Sequence, residues 1–224
     1  KKRIITTAGE HPSVYEVFRS LEGTSDIEVV FVGLHADGTV KLSALEQALS
    51  DDTALVSVMH VNNEVGAIND LAAISSLVKS RAPAALLHSD GVQAFCKLPF
   101  AKLPVDFYSI SAHKFHAPKG IGALYIKNGV KFGGGQLGGG QERNIRSGTL
   151  NVPGILGLDA ALEQYLLVLP EYLHQPREAA LEFAPPEHRY HVLVAHRVQE
   201  RLLLEVVVDS YHAAVVQPRV LAYL

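Results

Sequence analysis

The sequence predicts an α/β fold, three-layered, with a mostly parallel sheet covered by helices on both faces. Three observations carry this. Short β-branched runs alternate with segments of helical periodicity over residues 1–165. One run, Ala54–Val61 (ALVSVMHV), is apolar nearly throughout, as a strand buried on both faces is. Polar residues then follow directly on three of the runs. These are Asn62, Asn63 and Glu64; Asp90 and Gln93; and Ser111, His113 and Lys114. Sheets of this class bind ligands beyond the carboxyl ends of their strands, so these groups mark one functional edge.

Taken in order, Lys2–Thr7 reads as a short strand. Pro12 suits the first turn of a helix whose Val14, Val17, Phe18 and Leu21 share a face, and Gly23 closes it. Ile27–Val32 is a strand and Asp37-Gly38 a turn. Ser43 with Glu46 three residues on predicts a capping box for a helix to Leu49. Asn69 or Asp70 starts a helix with Leu71, Ile74, Leu77 and Val78 on one face, and Pro83 ends it. Ala84–His88, Val105–Ser111 and Gly122–Lys127 complete the strands. The glycine-rich FGGGQLGGGQERNIRSGT from Phe132 is a loop without the Gly-Lys-Ser/Thr ending of a P-loop. Asn151 caps a helix running to about Tyr165.

Of the 224 residues, 48% are hydrophobic, enough for a sizeable core, and the net charge of -3 argues against a broad nucleic-acid surface. The single cysteine, Cys96, excludes an internal disulfide framework and points to a cytoplasmic setting. No apolar run is long enough to span a bilayer, and the opening residues lack a signal-peptide core and an initiating Met, as expected of a fragment or a processed start. Composition breaks after Gly157: residues 158–224 contain no Gly, Ile, Lys, Thr, Asn, Met or Cys. Residues 166–224 are therefore read as a helical tail, either of separate coding origin, such as a shifted frame, or of merely unusual composition. His188, His191 and His196 lie close together there, but their spacing is not a zinc pattern, so no metal site is expected.

Two residues organise the chemistry. A lysine at a strand end, Lys114, can form a Schiff base if it is held near a carbonyl and spends part of its time uncharged. Asp90, ending an apolar run, suits either an acid paired with the ring nitrogen of pyridoxal phosphate or an N-cap for Gly91–Phe95. Gln93 and Asn63 are neutral hydrogen-bonding groups suited to a phenolic oxygen. His11 could stack on a flat ring or cap the Pro12 helix. Ser111, His113 and Thr149 could hold a phosphate. His60, inside an apolar run, reads as a satisfied core histidine.

The stretches SVMHVNNEVGAI, LLHSDGVQAFCKLPF, VDFYSISAHKFHAPKGIGALYIK and GGGQERNIRSGTLNVPGI, in this order and with TTAGEHPSV before them, resemble the cysteine desulfurases and selenocysteine lyases of the class V aminotransferase fold. The similarity covers about residues 1–165. It implies a partial large domain of the fold type I pyridoxal phosphate (PLP) enzymes, with Lys114 as the Schiff-base lysine and Asp90 as the partner of the pyridinium nitrogen. It implies His11 stacked on the ring, Asn63 and Gln93 on its substituents, and Ser111 and His113 on its phosphate. Thr149 would reach the phosphate of the partner subunit in a homodimer. The implied substrate is L-cysteine or selenocysteine, with a sulfur-acceptor protein as a possible partner and iron-sulfur cluster assembly as a setting. Neither membrane nor nucleic acid enters that picture.

The departures also set expectations. The family's sulfur-accepting cysteine lies well beyond the lysine, and no cysteine follows Lys114 here. Cys96 falls where the family has a small residue, so that role is not transferred to it. The family's N-terminal phosphate loop would precede residue 1, and the tail stands in place of the C-terminal small domain. A desulfurase that is inactive or impaired as given is the expectation. Another class V activity, such as transamination, or a degenerate non-catalytic fragment, are the competing ones.

Overall fold

The computed structural model describes residues 2–98, 103–133, 135–172 and 204–205. Strands β1 (Lys2–Thr7), β2 (Ile27–Val32), β3 (Thr53–Ser57), β4 (Leu86–Asp90), β5 (Phe107–Ser111), β6 (Gly122–Ile126) and the two-residue β7 (Leu204–Glu205) form one sheet in the order β2-β1-β3-β4-β5-β6-β7. β2, β1, β3, β4 and β5 run parallel, and β6 and β7 are antiparallel additions. The turn between Ser111 and Gly122 is too short for a crossover helix, so β6 must return antiparallel.

Helices cover both faces, as the sequence predicts. On one face α1 (Pro12–Ser20) packs Val14 and Phe18 against Ile4 and Leu55. On the other, α2 (Leu42–Ala48), α3 (Leu71–Arg81) and α4 (Val152–Tyr172) contribute Leu45, Leu71, Ile74, Val78, Ile155, Leu158 and Leu162 to the larger core. α3 starts on Asp70, whose carboxylate accepts the Ala72 and Ala73 amides at 2.9 and 3.0 Å. Asn69 instead bridges strands, accepting from the Val40 amide and donating to the Met59 carbonyl. Asn151 caps α4 through the Gly154 amide, and α4 continues past Tyr165 to Tyr172.

One local expectation fails. α2 begins on Lys41 with no side-chain cap, so the Ser43–Glu46 capping box does not form. Glu46 pairs instead with Arg81 at the end of α3, a partner that sequence proximity could not reveal. The tail expectations, including His188, His191 and His196, lie outside the described residues. No described helix is long and apolar enough to cross a membrane.

Beneath the sheet edge, Asp106 locks three strands to α3. Its carboxylate, 5% exposed, accepts from the Leu87 amide at 2.9 Å and pairs with Lys79 and Lys127 at 3.2 and 3.4 Å.

Candidate functional site

The parallel strands deliver their carboxyl ends to one edge, where the polar residues gather. Asp90 is the last residue of β4 and 4% exposed. Its Oδ1 accepts the Val92 amide at 2.9 Å, so it does begin the turn that follows β4. Desolvation raises its carboxyl above the ordinary range, opposed by that amide and by the nearby His11 and Lys114 charges. Those opposing effects place both residues electrostatically within reach of Asp90. No second side chain hydrogen-bonds its carboxyl among the described residues, so a cationic N–H donor would be the natural complement.

Lys114 lies in the 3-10 turn Ala112–Phe115 directly after β5, exposed at the strand end. Its charge reaches Asp90, Lys97 and His113. His113 is exposed, and Ser111 Oγ lies 2.9 Å from its Nδ1, so the two form a joined polar pair beside the lysine. Burial, then Lys114 and Lys119, hold His113 below its ordinary range.

His11 is the N-cap of α1: Nδ1 accepts the Ser13 amide at 3.2 Å and sits 2.8 Å from Ser13 Oγ. Engaging Nδ1 as an acceptor puts the proton of the neutral ring on Nε2. The capping role and a ring-stacking role are therefore compatible, since capping fixes the imidazole plane. Asn62, not Asn63, makes the structural bonds of its turn, donating to Gly9 O at 3.0 Å and accepting the Glu64 and Val65 amides. Asn63 is left exposed at the strand-end turn. Gln93 is half-buried after β4, its Oε1 accepting Lys97 Nζ at 2.8 Å. Thr149 is exposed in the loop after β6, and no described hydrogen bond joins it to the other candidates.

Two features escaped sequence reasoning. Glu10 is buried under this edge, and burial pushes its carboxyl up to about 8. Next to His11 in the sequence it looks like any surface acid. Tyr108, 1% exposed on β5, places its hydroxyl 2.8 Å from His60 Nδ1. It also fills the space that a side chain at Gly91 would occupy. His60 is thus the partnered core histidine that the apolar run predicts. Cys96 is buried, and desolvation pushes its thiol up to about 12. No metal-binding cluster of His, Cys, Asp and Glu occurs among the described residues.

The comparisons agree with the geometry. The family described as aminotransferase class-V matches residues 1–173. A cysteine desulfurase of Nostoc sp. (strain PCC 7120 / SAG 25.82 / UTEX 2576) is 45% identical over 169 residues, covering 75% of this chain and 42% of the relative. The cysteine desulfurase IscS of Pseudomonas syringae pv. tomato is 47% identical over 164 residues, 71% of this chain and 40% of its own length. The solved structure of a NifS-like protein superposes with a TM-score of 0.71 at 46% identity, covering 76% of this chain and 47% of that one. The chain therefore spans less than half the length of the relatives it matches. A mostly parallel sheet with an acid and a lysine at adjacent strand ends, matched by this family over most of its length, makes this chain a member of the class-V aminotransferases, in the cysteine desulfurase branch.

Proposed function

We propose that this chain holds pyridoxal 5'-phosphate at the β1/β3/β4/β5 edge, as part of an enzyme that removes sulfur from L-cysteine. The observation that carries the reading is the convergence of Asp90, His11 and Lys114: a buried carboxyl at the end of β4 feels the charges of a residue after β1 and one after β5. The donor set fits the cofactor. Asp90 offers a desolvated carboxyl with one backbone donor, which a ring N–H would complete. His11 presents a ring of fixed orientation. Gln93 and Asn63 offer neutral groups to the ring substituents. The Ser111–His113 pair lies where a phosphate would need donors, with Thr149 assigned to the partner subunit's phosphate in a homodimer.

When bound, the cofactor supplies an electron sink for the substrate's α-carbon. The chain's own contribution is positioning and proton control. Asp90, kept ionised by a cationic partner, holds a proton on the ring nitrogen. Lys114, released from the cofactor, is placed to move a proton at the substrate. Lys97, whose ammonium rests on Gln93, keeps that side chain oriented. Residues 1–165 make up this partial cofactor domain.

The sulfur-accepting step has no candidate in these residues. Cys96 is the only cysteine, and its buried thiol, pushed up to about 12, supplies no thiolate near neutral pH. We therefore read the 224 residues alone as binding PLP without brisk desulfuration, a cysteine from elsewhere and an acceptor protein completing the reaction. Adding PLP and following the visible absorbance band tests the first part: the band forms with the wild type and is lost in Lys114→Ala. Adding L-cysteine and assaying alanine and sulfide tests the second. Rapid release of both by this chain would overturn it, and absence of the band in the wild type would leave a non-catalytic fragment as the better reading.

A further inference from the structure

β1 ends at Thr7 and the chain turns away, whereas the segment after β3 continues alongside β4. There the Val58 amide donates to His88 O at 3.1 Å and the His60 amide to Asp90 O at 2.9 Å. The amide between them, Met59 N–H, faces the side that β1 has vacated. Glu10 fills the gap: its Oε1 accepts Met59 N–H at 2.8 Å and the Thr7 hydroxyl at 2.9 Å. Its Oε2 is buried with no hydrogen-bond partner, and no cation pairs with the carboxyl. A side chain thus completes a ladder position that the backbone left open.

A buried carboxyl with two donors on one oxygen and none on the other is more stable as the neutral acid. Burial pushes Glu10 up to about 8, and Asp90 on β4 adds to the rise. The Thr7 and Met59 contacts bring no charge. The chain neighbour is His11, whose charge acts on Asp90. Four residues after Met59 comes Asn63. One carboxyl therefore ties the turn that presents His11 to the segment that presents Asn63, with Asp90 between them.

We propose that Glu10 is a positioning residue: as a neutral acid it locks the His11 turn to the segment after β3 and so sets the His11 imidazole relative to Asp90. The inference rests on the cofactor reading of His11 and Asp90, and goes beyond it in naming what holds them in register. Neutrality is part of the role, because an ionised Glu10 would set a second carboxylate against Asp90 and loosen the lock.

The test uses the full chain with Glu10→Gln and Glu10→Ala. In cofactor-free protein, NMR follows the Glu10 carboxyl and the His11 ring. Glu10 titrates above pH 7, Glu10→Ala displaces the His11 signals, and Glu10→Gln keeps them. A Glu10 titrating near its unburied value, or wild-type His11 signals in Glu10→Ala, overturns the proposal. In a PLP titration read by absorbance, Glu10→Ala binds at least about tenfold more weakly, the equivalent of ~1.4 kcal/mol. Glu10→Gln binds like wild type at pH 7 and, unlike wild type, keeps its affinity past pH 8. If Glu10→Ala does not fold, the pH profiles of wild type and Glu10→Gln decide, and identical profiles refute the role. If the wild type takes up no PLP, the cofactor reading falls and the NMR arm alone judges Glu10.

Discussion

Gly91 follows Asp90 directly, and replacing it with alanine probes how tightly the floor of the site is built. A Cβ at this position would overlap Cζ, Cε1 and the hydroxyl of Tyr108. Tyr108 cannot step aside cheaply, because it is 1% exposed and its hydroxyl is bonded to His60 Nδ1 at 2.8 Å. The His60 backbone is in turn tied to Asp90 O. Overpacking a filled core costs roughly 1–3 kcal/mol. Displacing the tyrosine hydroxyl from its buried partner adds about 1–3 kcal/mol. The midpoint, about 4 kcal/mol, lowers Tm by roughly 8–16 °C for a chain of this size.

A second substitution separates overlap from any generic intolerance at position 91. Leucine at 108 ends before all three atoms that would overlap. Tyr108→Leu alone is destabilising, since it opens a cavity and removes the hydroxyl from His60. In Gly91→Ala/Tyr108→Leu the new methyl occupies part of that cavity. The double variant should then be less destabilised than the two singles combined, by about 2 kcal/mol in a double-mutant cycle. Thermal and urea unfolding of all four proteins measure this. A Gly91→Ala protein melting within about 2 °C of wild type, or singles that simply add, would refute the overlap argument.

Three further outcomes are expected. Asp106→Ala leaves the Leu87 amide without its acceptor and frees Lys79 and Lys127, a loss of roughly 2–4 kcal/mol in urea unfolding, moderated because both lysines are half-exposed and rehydrate. Glu10 binds its proton more tightly folded than unfolded, so stability falls as pH rises from its ordinary 4.5 through about 8. At ~1.4 kcal/mol per unit that displacement bounds the effect near 5 kcal/mol, and Glu10→Gln, which cannot ionise, should gain on wild type across that window; a constant difference from pH 5 to 9 would contradict it. Cys96 should resist an aromatic disulfide reagent at pH 8 in the native protein and react at once in denaturant, and prompt native reaction would show that the thiol is not buried as described.

What the sequence revealed and what it hid follow from the range of the interactions. Apolar runs, Pro12 at a helix start and Asp70 before α3 act within a few residues, and each appears as predicted. Asp90 and Lys114 were legible because parallel strands send successive carboxyl ends to one edge, so position in the pattern implies proximity in space. The Ser43–Glu46 box failed although its spacing was right, since Arg81 competes for Glu46 from another helix. Glu10 and Tyr108 were hidden for a related reason. Nothing local says that Thr7 ends its strand one position before Met59 runs out of partners, or that Gly91 is small because a ring from β5 needs the room.

The charge balance of the site follows from what lies under Asp90. Two residues earlier on β4, and so on the same face, is His88. A protonated imidazole there would neutralise Asp90 from below and leave it little need of a cationic ligand. The surroundings prevent this: Ser57 Oγ lies 2.8 Å from His88 Nδ1, and Ser109 Oγ 3.2 Å from Nε2. Burial drives the imidazole down to about 4, so it is neutral at any physiological pH. Glu10, the other buried titratable group beside Asp90, is held neutral as well. Compensation for Asp90 must then come from the open edge, from His11, Lys114 and a bound cation. A floor that stays uncharged makes the carboxylate dependent on its ligand, which is the condition for Asp90 to hold a proton on a cofactor ring instead of spending its charge inside the protein.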